Sequence, residues 1–136
     1  MTTTGKYEET VNDIEETLGI VPGFLATLPH EDTVNEWPTL KKYLVTETRI
    51  PAKYRELISL AVAANTKCQY CQHFHRGAAQ LQGATDEELA ELSFLAGYTA
   101  RYSAMLHAQE YDLEEFKTET AQIAEHFQTQ MAAGDD

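Results

Sequence analysis

The stretch PAKYRELISLAVAANTKCQYCQHFHRGAAQLQGATDEE, residues 51–88, decides the fold class. It contains no sustained alternation of apolar and polar residues bounded by hairpin turns; its apolar residues recur at spacings of three and four, the period of a helix face. Pro51 suits the first turn of a helix, where a missing N–H costs nothing, and that helix carries Tyr54, Leu57, Ile58, Ala61 and Val62 before Asn65 ends it. Thr66-Lys67-Cys68-Gln69 has the form of a capping box, a threonine N-cap with glutamine three residues on, and predicts a helix from Thr66 to Gly83. Thr85-Asp86-Glu87-Glu88 repeats the box and opens the next helix, through Leu89, Leu92, Leu95, Ala96, Thr99, Tyr102 and Leu106 to about Gln109.

The same period extends outward. Upstream it predicts a helix from about Tyr7 to Leu18, stopped by Gly19, then a loop over residues 19–25, then a helix from Val34 to Thr46 bearing Trp37, Leu40 and Leu44. Downstream a sixth helix starts near Asp112 and carries Phe116, Ile123 and Phe127 before a polar tail, Gly134-Asp135-Asp136. The prolines 22, 29, 38 and 51 are read as punctuation at helix edges. An all-α domain follows, and 136 residues without a linker or repeat fit one domain over residues 1–136.

Charge narrows the partners. A net charge of -12 repels a phosphate backbone, which argues against nucleic acid and against an anionic membrane surface. No apolar run reaches the roughly 18 residues of a bilayer span, and the N-terminus lacks a secretory pattern, so the sequence reads as cytoplasmic. Between Thr48 and Gly83 the balance reverses: Arg49, Lys53, Arg55, Lys67 and Arg76 face a single acid, Glu56. This basic island contains both cysteines, Cys68 and Cys71, and positive surroundings favour thiolates.

On a helix beginning at Thr66, Cys68 lies in the first turn, where free backbone N–H groups and the helix dipole favour a negative charge. At about 100° per residue, Cys71 stands about 60° from Cys68 around the axis and His75 about 20° from it, whereas His73 points about 140° away. Glu56 lies ten residues before Thr66 and His75 nine after, so antiparallel neighbouring helices bring them to one height. A carboxylate there fixes the imidazole tautomer, and the imidazole reaches Cys71 one turn away as a general base. His30, His73, His107 and His126 are assigned to surface or core, and Tyr98 and Tyr102 to core. Two other chemistries use the same residues: a zinc site of two thiolates, an imidazole and a carboxylate, although no second ligand pair follows in sequence, and a passive redox switch. Gln72 after Cys71 excludes the C-x-x-C-H of covalent haem, and no cofactor is called for.

The pattern Glu56-x11-Cys68-x2-Cys71-x3-His75, with Gly19-Ile20-Val21-Pro22, Arg55-Glu56-Leu57-Ile58 and Ala84-Thr85-Asp86-Glu87-Glu88 on its flanks, resembles the AhpD-like alkylhydroperoxidase branch of the carboxymuconolactone decarboxylase family over about residues 15–110. That resemblance implies a helical antioxidant fold assembled as a trimer or hexamer, and a thiol-dependent peroxidase or disulfide reductase acting on a hydroperoxide or disulfide. It implies a dithiol reductant such as a lipoyl group on a partner protein, with Glu56, Cys68, Cys71 and His75 in the catalytic positions. The cysteine pair sets the chain apart from members that act as the decarboxylase proper. Tyr70 stands where peroxidase members often carry a relay histidine; a phenol of pKa about 10 is a poor base near neutrality, which favours plain dithiol–disulfide exchange. Helix-end electrostatics point to Cys68 as the attacking sulfur and the His75 relay to Cys71; the relay is given the greater weight.

Overall fold

The computed structural model describes residues 3–134, so Asp135 and Asp136 of the expected tail lie outside the described residues. Seven helices follow in order: α1 (Thr3–Leu18), α2 (Gly23–Ala26), α3 (His30–Val45), α4 (Ala52–Thr66), α5 (Gln69–Leu81), α6 (Asp86–Ala108) and α7 (Leu113–Ala133). Among the described residues there is no strand, as the sequence period requires.

The boundaries follow local chemistry. Gly19 (φ 78°) and Gly83 (φ 87°) end α1 and α5 in the left-handed region that a side chain disfavours. The Thr85–Glu88 capping box forms as expected, Glu88 N donating to Thr85 Oγ1 at 3.1 Å and Thr85 N to Glu88 Oε2 at 2.9 Å. Asp112 caps α7 by accepting from Glu115 N at 2.8 Å.

Several expectations change, beginning with the first helix, which starts at Thr3 rather than about Tyr7. Residues 19–25 are not wholly loop: Pro22 leads into the one-turn α2, too short for periodicity to reveal, and it delivers Leu25 to the core. The third helix begins at His30 rather than Val34, because Pro29 sits just before its first turn and Glu31 and Asp32 favour its positive end. Pro38 lies inside that helix rather than at an edge; the proline removes one hydrogen bond that the flanking turns outweigh.

Two small cores hold the helices. Ile14, Leu25 and Trp37 join α1, α2 and α3, with Leu18, Val21, Leu40 and Leu44 around them. Leu60, Ala79 and Leu89 join α4, α5 and α6, with Leu57, Ala84 and Leu92 around them. Tyr98 and Tyr102, expected in the core, are 42% and 46% exposed. Four residues apart, they meet edge-on along α6, and α7 has no buried residue. The chain exposes 10,419 Å², against about 7,100 Å² for a compact globular chain of this mass.

Two carboxylates tie elements together at the surface. Lys41 and the Trp37 indole both donate to Asp13, at 2.6 Å each, and hold its carboxyl below the usual range. Lys53 donates to Glu88 at 2.8 Å and, with the Thr85 N–H, lowers that acid too. Groups with depressed folded pKa values stabilise fully above their unfolded values, 3.8 and 4.5 here, and lose that contribution as the pH falls through the folded ones. Urea unfolding is therefore expected to show stability falling below pH ~4.5. Asp13→Asn and Glu88→Gln should each flatten the slope; an unchanged slope in both variants defeats the assignment.

Candidate functional site

The cysteine pair is positioned by the way α4 stops. Lys67 adopts the left-handed conformation (φ 58°), and its N–H and that of Cys68 turn back to Ala64 O and Ala63 O. Thr66 therefore closes α4 instead of capping α5: its hydroxyl donates backward to Val62 O at 3.0 Å and to Ala63 O at 3.3 Å. Cys68 is the true N-cap, its sulfur accepting from Cys71 N at 3.2 Å. The helix start expected at Thr66 is displaced by two residues because Ala63 and Ala64 still need donors, and the turn at Lys67 supplies them. Both sulfurs thus sit at the positive end of α5, half-buried and joined as a disulfide with Cα atoms 5.3 Å apart.

Glu56 lies on the inward face of α4, 6% exposed, and its Oε2 meets His75 Nδ1 of α5 at 2.6 Å. The two helices are joined by a single tight turn and pack as neighbours, so residues placed symmetrically about that turn meet. The His75 side chain is 26% exposed, and the ring of Phe74 packs edge-on against it at 5.1 Å. With Nδ1 committed to the carboxylate, Nε2 is the nitrogen left to exchange a proton. His73 is exposed and Tyr70 is 90% exposed, so the Tyr70 hydroxyl stands in solvent. Among the described residues no three His, Cys, Asp or Glu side chains converge as a metal site; sulfur pairs with sulfur and imidazole with carboxylate.

Sequence reasoning missed two supports. Arg55, beside Glu56, clasps the 46–51 loop: Nη1 donates to Thr48 Oγ1 at 2.7 Å and Ile50 O at 3.2 Å, and Nη2 to Tyr43 O at 3.2 Å and Thr46 O at 3.0 Å. Gln72 Nε2 donates to Ala63 O at 3.3 Å and ties the turn to α5. Apart from the Thr48 hydroxyl the partners are backbone carbonyls, which carry no signature in a sequence. Arg55→Ala is expected to cost about 2 kcal/mol by leaving carbonyls unpartnered. Arg55→Lys should recover only part, since an ammonium cannot fork to four acceptors. Chemical denaturation measures both, and a neutral Arg55→Ala refutes the clasp.

The model of the carboxymuconolactone decarboxylase family matches residues 31–112, more than half of the chain and all four residues above. The chain belongs to the carboxymuconolactone decarboxylase family. Within it the fold is AhpD-like: the crystal structure of the alkylhydroperoxidase AhpD core from Rhodospirillum rubrum superposes with a TM-score of 0.70 at 27% identity, covering 85% of this chain and 88% of that one. A Paracoccus denitrificans protein described as uncharacterized protein 4 in the cox locus is 30% identical over 69 residues, 51% of this chain. The chain spans 62% of that relative's length. No described helix is long and apolar enough to cross a membrane. Family, fold and a cysteine pair at disulfide distance are compatible with alkylhydroperoxidase-type chemistry.

Proposed function

We propose that this family member is a thiol-dependent peroxidase and disulfide reductase in which Cys68 and Cys71 are the redox pair and Glu56 and His75 the proton relay. The observation that carries the reading is the buried Glu56–His75 contact of 2.6 Å, made on the helix that starts with the two sulfurs. A solvated surface acid and a stray histidine have no reason to be held this way inside a thin core.

In the reduced protein, His75 Nε2 takes the thiol proton and the Cys71 thiolate attacks the distal oxygen of a hydroperoxide. The S–O bond forms as the O–O bond breaks, and the alkoxide leaves with the proton returned by His75. Cys68 then displaces hydroxide from the sulfenic acid, giving the disulfide and water. An external dithiol, such as a lipoyl group on a partner protein, reduces the pair through a mixed disulfide and is itself oxidised. With Tyr70 in solvent the relay has no third member, which supports the exchange half of the cycle at least as strongly as the peroxide half. The same exchange acts on small disulfides.

The reading extends to a cytoplasmic homotrimer or homohexamer. An excess of about 3,300 Å² over a compact monomer and the uncovered aromatic row of α6 are what an oligomer interface would absorb. The test is turnover on a panel of hydroperoxides and disulfides with dihydrolipoamide and thioredoxin-type reductants. Consumption of one equivalent followed by a stall with every reductant replaces the enzyme with a redox switch. One tightly held zinc per chain replaces it with a metal site.

A further inference from the structure

A groove with a cavity volume of about 440 Å³ runs between the end of α4, one side of α5 and the middle of α6, a size within the usual range of small-molecule sites. Leu60, Leu92 and Ala96 form its apolar floor, and Lys67, Gln72 and Arg76 stand along its edge. No lining residue is acidic, in a chain with 22 aspartates and glutamates. The Lys67 and Arg76 side chains have no ion-pair partner among the described residues and are free to meet an anion. Gln72 and Arg76 follow Cys68 by one and two turns, about 40° and 80° around the axis, on the side opposite Cys71 and His75.

We infer that the groove binds an amphiphilic monocarboxylate, its hydrocarbon on the apolar floor and its carboxylate on Arg76 and Lys67. A guanidinium offers a carboxylate two parallel hydrogen bonds, and apolar surface beside it rewards a chain over a small hydrated ion. The overall charge of -12 repels polyanions at long range, while two local cations in a trough without acids suffice for a single negative charge. The binding does not rest on the peroxidase reading.

The oxidised full-length protein is titrated with octanoate, and with 1-octanol as its neutral counterpart, while amide NMR shifts are followed. Shifts are expected around Lys67, Gln72, Arg76 and Ala96, with octanoate at least about ten-fold tighter than octanol. Arg76→Gln should weaken octanoate about ten-fold, and Arg49→Gln, the same charge change outside the groove, should not. Equal binding of acid and alcohol, or an Arg76→Gln variant that binds octanoate normally, overturns the inference. So does octanoate that only dissociates an oligomer, since the groove is then a contact between copies.

Discussion

Cys71→Ser should reduce multiple-turnover peroxide and disulfide reduction by on the order of 1,000-fold or more, and Cys68→Ser should do the same to turnover while sparing one reaction cycle. The difference arises from the division of labour. If Cys71 attacks, Cys68→Ser still forms a sulfenic acid but has no second sulfur to resolve it. A dimedone-type probe then labels Cys71 in that variant and labels nothing in Cys71→Ser. Label retained only on Cys68 reverses the roles while preserving the redox pair. Failed folding will not confuse the result: a disulfide closing so short a loop contributes ~2 kcal/mol at most by chain entropy. The N-cap position also tolerates serine, which accepts the Cys71 N–H as the sulfur does.

Glu56→Gln is the second large effect, a loss of about 100-fold in the peroxide half-reaction, the lower range for positioned acid–base catalysis. Glutamine keeps the shape and one acceptor oxygen, so the ring of His75 still has a partner. What disappears is the charge that stabilises the imidazolium while it carries the thiol proton. Stability should fall by about 1.5–3 kcal/mol, the worth of a hydrogen bond to a charged group in a site this buried. The two readouts separate the roles. A stability loss without a rate loss makes Glu56 structural, while a rate loss that Glu56→Asp partly restores makes it a member of the relay. His75→Asn should match the rate loss, and combining it with Glu56→Gln should add little, because the two groups act as one unit.

The Glu56–His75 contact is legible in the sequence because it depends on counting. Ten residues down one helix and nine along the next reach the same height when a short turn joins them, and Glu56 and His75 do meet. Cys68 and Cys71 at the start of that second helix are equally readable from spacing. The details of the turn are not. Thr66 has every local qualification for an N-cap, yet the carbonyls of Ala63 and Ala64 have first claim on the following N–H groups, and the cap passes to Cys68. Local rules of comparable strength compete at such a junction, and the chain's path decides between them. The aromatic row of α6 shows the opposite limit. Its helical spacing is correct, but spacing cannot say whether another helix arrives to cover it, and α7 does not.

By itself the sequence determined the helical class, the pairing of the two cysteines at one helix start and the acid–imidazole contact, because each is fixed by periodicity within a few turns of chain. Tertiary structure alone decided which atom caps α5, how Arg55 ties its loop, that Pro38 lies within a helix, and that two unpaired cations border an apolar trough between three helices. Those features depend on backbone carbonyls and on surfaces from distant segments, whose meeting is set by the balance of the whole fold.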